Sequence, residues 1–188
     1  IHERLVGSEM CIRDRWGAVV GQVIYDQFHR WRAPSAANDI VVIAVDDASL
    51  DALGGWPLRR TVYADVLKQL ADSDNLPAAV GFDILFRDAR PDDEALARQM
   101  QRHRVFLAVE LSRQHNGQTT APISPVLAQA ARGLAQVGLT FESDGFLRGV
   151  RLSEGGVPQL ALAMSGRPAE DFSTSNSYRR FDLVDPAM

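Results

Sequence analysis

Apolar residues along this chain fall into two patterns. Short, nearly continuous runs alternate with longer stretches in which apolar positions return every three or four residues. The first run, Ile40-Val41-Val42-Ile43-Ala44-Val45, is rich in β-branched side chains and stops abruptly at Asp46 and Asp47. Such a run reads as a strand covered on both faces, emerging at its carboxyl end. The segment 78–86 repeats the pattern as Ala-Ala-Val-Gly-Phe-Asp-Ile-Leu-Phe, with Asp83 inside it. Val105 to Leu111 reads as a third strand and Gln136 to Phe141 as a fourth.

Helical spacing fills the intervals. Val19, Val20, Val23, Ile24, Phe28 and Trp31 predict an amphipathic helix over 16–31, ended by Ala33-Pro34-Ser35. Asp47 to Leu53 reads as a turn or short helix, and Gly54-Gly55-Trp56-Pro57 as a break. Thr61 is the candidate cap of a helix over 62–71, with Val62, Val66, Leu67 and Leu70 on one face. Asp92 and Asp93 open a helix through His103, placing acids at its positive end. A short helix over 126–131 follows. Asp144-Gly145 marks a hairpin turn leading to a strand over 146–152. Val157 to Met164 is a further helix, with Leu160, Ala161 and Met164 inward, and Phe181 to Val184 is a candidate last strand. Alternating strands and helices predict an α/β fold: a mostly parallel sheet, helices on both faces, and an antiparallel edge hairpin.

Composition changes this picture in three ways. The chain has 188 residues, 46% hydrophobic and 23% charged, which suits one domain with a core of its own. The net charge of −4 with no polybasic block argues against nucleic acid as a partner. Leu5 to Arg15 reads as the in-frame translation of an adapter used in transposon-based sequencing libraries. Residues 1–15 are therefore expected to be non-native, leaving 16–188 as a single α/β domain, incomplete at its carboxyl end. The only cysteine, Cys11, falls in that excluded stretch, so disulfides and thiolate metal sites are not expected. No run of 18 or more apolar residues is present.

The candidate chemistry lies where strands meet acids. In open α/β sheets ligands bind outside the carboxyl ends of the strands. If the runs at 40–45 and 78–86 are neighbours, Asp46, Asp47 and Asp83 share one rim, with Arg60 and Arg148 in reach. Two readings stay open. The acids receive a cation or polar ligand, or they cap turns and pair with Arg60 or Arg148. Trp56 reads as a hydrophobic plug. Catalysis finds little support. Lys68 is the only lysine and lies on a helix, and His29, His103 and His115 lack metal-ligand spacing. Neither a glycine-rich phosphate loop nor a nucleophile elbow occurs. No cofactor is expected.

Taken in order, these pieces resemble the CHASE sensory domains of the second type. The likeness rests on Tyr25-Asp26 with Arg30, on Asp46-Asp47-Ala48-Ser49, and on Leu53-Gly54 before Trp56-Pro57 and Arg60. It continues in 81–86 (Gly-Phe-Asp-Ile-Leu-Phe), Asp92-Asp93, Asp144-Gly145 through Arg148, and Pro158-Gln159-Leu160-Ala161. It covers residues 25–165. Leu58-Arg59 departs from the family's usual aromatic and proline between Trp-Pro and Arg. The resemblance implies a non-catalytic input domain on the outer side of the bacterial membrane. It would be held by flanking helices that this chain lacks, and linked to a cyclase or kinase. A homodimer sensing a small-molecule or environmental ligand is the expected state. Asp46, Asp47, Arg60, Asp83 and Arg148 would line the crevice. A metal-dependent hydrolase using the Asp cluster and a purely structural dimerisation module are the alternatives.

Overall fold

The computed structural model describes residues 20–21, 23–28, 31, 39–114, 117–120, 122–167 and 178–180. The chain divides into two compact units at the Ala44–Val45 boundary. In the first, residues 20, 21, 23–28 and 31 are helical, as the periodicity predicts. The apolar face of that helix is open to solvent at Val20, Val23, Ile24, Phe28 and Trp31.

The largest correction concerns residues 40–45. They form no strand, and Ile40, Val41, Val42 and Ile43 are 59–84% exposed. A β-branched run states that the backbone prefers to be extended. It does not supply the neighbouring edge that a ladder requires. Helix α1 (Asp47–Leu53) follows and ends at Gly54, whose φ of 93° is left-handed. Glycine adopts that conformation without steric cost, and Gly54 N–H bonds back to the Leu50 carbonyl.

The second unit is built on three parallel strands, β1 (Val80–Phe82), β2 (Val105–Val109) and β5 (Gly133–Gln136), in the order β1-β2-β5. Register pairs Val80 with Val105, Gly81 with Phe106, and Phe106 with Gly133. Alternation then assigns the faces. Val80, Phe82, Val105 and Leu107 join the core beneath α2 (Arg60–Ala71), α3 (Asp93–Met100) and α4 (Pro125–Ala130). That core includes Leu58, Tyr63, Leu67, Phe86, Leu96, Met100 and Leu127. Gly81 faces the other way, where a Cβ would strike Met164 Sδ and Leu160 of α5 (Leu160–Ser165). Helices thus cover both faces, and the α/β architecture is as the alternation predicts.

Other boundaries shift. Helix α2 starts at Arg60 with Arg59 as its cap residue, not at Thr61. Asp92 is the N-cap residue of α3, which ends at Met100 rather than His103. Strand β5 ends where the fourth strand was expected to begin, and Leu139 and Phe141 are exposed. Gln136 is the reason: its side chain is buried, with Nε2 donating to the Arg151 carbonyl and Oε1 accepting from Gly138 N–H. That bond to its own Gly138 turns the chain. In α5 it is Leu162 that is buried, while Ala161 faces solvent. Trp56 is 59% exposed and plugs nothing; Leu58, two residues on, takes the core position.

Antiparallel pairing is present in pairs separate from the sheet: β3 (Leu111–Gln114) with β4 (Gly117–Thr120), β6 (Gly149–Arg151) with β9 (Tyr178–Arg180), and β7 (Ser153–Glu154) with β8 (Val157–Pro158). The Asp144-Gly145 turn forms, closed by Gly145 N–H to the Glu142 carbonyl. The strand after it pairs with 178–180 and not with 136–141. The candidate strand 181–184 lies outside the described residues.

Candidate ligand-binding site

The carboxyl ends of β1 and β2 deliver an acid each. Asp83 follows Phe82 and is exposed; Glu110 follows Val109, is exposed, and forms an ion pair with Arg87. Beside Glu110 lies a cavity of ≈ 10 Å³ lined also by Leu85, Phe86, Ala108 and Ile123 among others. That is room for about one water, far below a small-molecule pocket of roughly 300 Å³ or more. Any ligand at this rim sits on its surface.

The five candidate residues have separate surroundings. Asp46 is the N-cap of α1, its Oδ1 accepting from Ser49 N–H at 2.8 Å and Ser49 Oγ–H at 2.6 Å. The Ser49 hydroxyl and then its amide hold the Asp46 carboxyl below the ordinary aspartate range. Asp47 occupies the first turn of α1 and is exposed, as is Asp83. Neither holds an ion pair among the described residues.

Arg60 is buried rather than open at the rim. It is 4% exposed, and its Nε donates to Asp93 Oδ1 at 2.8 Å. Its Nη2 donates to the Asp88 carbonyl at 3.1 Å, its backbone N–H to Asp92 Oδ2 at 2.6 Å, and its guanidinium lies 4.5 Å from the centre of the Phe86 ring. Asp93 also accepts from Ser124 Oγ–H at 2.6 Å and Arg90 N–H at 2.9 Å. Burial alone would raise the Asp93 carboxyl; the Ser124 hydroxyl, the Arg90 amide and Arg60 outweigh it and hold it below the ordinary range. The amino ends of α2, α3 and α4 therefore meet on one carboxylate. Negative charge suits that position, because helix amino ends carry positive potential.

Arg148 is a second anchor. It is 3% exposed, with Nη1 donating to Glu142 Oε2 at 3.0 Å and meeting both Asp144 oxygens, Oδ2 at 2.8 Å. Its guanidinium lies 5.2 Å from the Phe146 ring centre. Asp144 Oδ1 in turn accepts from Phe146 N–H. Desolvation opposes ionisation of Asp144, but the Phe146 amide and Arg148 hold its carboxyl low. Arg148 thus orders the 142–148 turn.

None of the bonds described for Asp46 or Arg60 runs to another of the five. Aspartate and arginine side chains look alike in sequence whether they cap, clamp or bind. The network that sequence reasoning missed is Arg60–Asp93–Ser124. Its one visible signal was the acid pair opening α3, since nothing local announces partners 31 to 33 residues away. Among the described residues no group of three or more His, Cys, Asp or Glu is placed to hold a metal ion, and no helix is long and apolar enough to cross a membrane.

Comparison with known proteins adds the family. A family model described as CHASE2 domain matches residues 10–181. No curated protein and no solved structure matches the chain. A match over nearly the whole chain places it in the CHASE2 domain family, a family of extracellular sensory domains of signalling proteins.

Proposed function

We propose that this chain is the extracytoplasmic input domain of a membrane-anchored bacterial receptor, which reports ligand occupancy to a cyclase or kinase inside the cell. The match to the CHASE2 domain over residues 10–181 carries the reading. Ligand contact falls to Asp47 and Asp83, which are exposed and take part in none of the described side-chain bonds, whereas Asp46 caps α1, Arg60 is clamped on Asp93 and Arg148 holds its own turn. Signalling follows from a shift between two arrangements, and requires a ligand that binds one better than the other. A homodimer supplies a partner against which such a shift is read.

The gene in its genomic setting tests the proposal directly. Apolar spans of about 20 residues flanking the domain, and a cyclase or kinase beyond them, are the expected finding. An uninterrupted reading frame with no such span and no output domain would falsify the receptor role. Sedimentation equilibrium of the purified domain tests the dimer.

A further inference from the structure

The opposite end of the sheet has its own chemistry. Parallel register brings the residues just before β1, β2 and β5 side by side. Two of these are Arg104, before β2, and Arg132, before β5, whose N–H donates to the Val105 carbonyl at 2.7 Å. Arg167 follows Gly166, the residue that caps α5 and lies against Arg104: a Cβ on that glycine would sit 3.4 Å from Arg104 Nη2. The loop after α3 adds Arg102 and His103. A cleft of ≈ 430 Å³ opens here, with Leu76, Pro77 and Ala78 on one side and Arg102, His103 and Arg104 on the other.

Carboxylates answer only part of this charge. Asp72 pairs with Arg102 at 3.0 Å. Among the described residues no carboxylate lies within ion-pair distance of Arg104, Arg132 or Arg167. The one hydrogen bond described for the Arg104 guanidinium is a long one, 3.4 Å to the Ala78 carbonyl. The His103 ring is held by Nε2–H donating to the Leu67 carbonyl at 2.9 Å. In a protein whose net charge is −4, Arg104, Arg132 and Arg167, with no carboxylate partner among the described residues, leave a locally positive rim that a bound anion relieves. Guanidinium forks match tetrahedral oxyanions, and Leu76, 64% exposed, gives an apolar wall beside them.

We propose that this cleft binds a phosphate-bearing ligand, its anionic head on Arg104 and Arg102 and an apolar portion against Leu76 and Pro77. The site is distinct from the acidic rim and stands whether or not the receptor reading holds. Titrating the full chain with pyrophosphate, at ionic strength matched with chloride, and following amide NMR signals is the test. Saturable shifts confined to 76–78 and 101–104 are expected. Arg104→Gln should weaken binding at least about tenfold, and Arg102→Gln measurably, while Arg98→Gln, on the exposed side of α3, leaves it unchanged. A second arm uses vesicles of phosphatidylglycerol against phosphatidylcholine. Binding only to the former, lost in Arg104→Gln, assigns the phosphate to a lipid headgroup; saturable pyrophosphate binding assigns it to a soluble ligand. Absence of both, or pyrophosphate shifts scattered over the surface, overturns the proposal on the unsubstituted protein, independent of how the variants fold.

Discussion

A buried guanidinium with two acceptors and an aromatic face, like that of Arg60, cannot lose its carboxylate partner cheaply. Asp93→Ala would leave that charge in a dry site, at a cost of about 3–5 kcal/mol. Urea denaturation should show a midpoint shift large enough to unfold a marginal domain. The same carboxylate sets an acid limit. Its folded pKa lies below the ordinary aspartate value of 3.8. The stabilisation is therefore complete above that value and is lost as pH falls from there through the lowered folded value. Asp93→Asn should flatten this acid-side slope. Asp46 has the same sign, since its cap to Ser49 depresses its pKa; Asp46→Asn keeps the cap and removes the pH dependence. At this scale the sequence was legible in part. It marked the Asp92-Asp93 pair as opening a helix and offered turn capping as one of two readings of Asp46, because capping is a local bond. It left Arg60 open to a ligand, because the carboxylate that clamps it is 33 residues away.

Between elements, β1 approaches α5 closely at Gly81. Gly81 leaves no space for a side chain beneath Met164 and Leu160. Gly81→Val should cost about 1–3 kcal/mol through overpacking. Combining it with Met164→Ala should recover part of the loss, as a double-mutant cycle in urea reads directly. If the two substitutions add without coupling, the contact does not govern the packing. The run 78–86 announced this strand by its composition. Only the packing of α5 over β1 shows why glycine suits its middle position. The reverse holds for 40–45. The run satisfies every local criterion of a covered strand, yet it is unpaired and exposed, because pairing is a property of two segments.

For the whole molecule, the division between holding and binding residues has a consequence in the intact receptor. Asp47→Asn and Asp83→Asn alter exposed side chains outside any described network, so unfolding free energy should move by less than about 0.5 kcal/mol. Output activity should change all the same. Arg148→Ala should instead lower stability, since Glu142 and Asp144 lose the cation that their turn is built on. Equal loss of output in all three, at wild-type stability, would remove the distinction drawn here between rim and scaffold.

The amino-acid sequence by itself determined the class of fold, the family and the places where helices begin and end to within a few residues. Those follow from periodicity, capping and turn chemistry, which act over three or four positions. The tertiary structure alone decided which acids are spent and which stay exposed. It set Arg60 on Asp93, Ser124 on the same carboxylate, and Arg148 on its own turn. It also gathered Arg102, Arg104 and Arg132 at the amino end of the sheet. Charged side chains carry no address in sequence, and only the packing of distant segments brings a guanidinium to its carboxylate or leaves it without one.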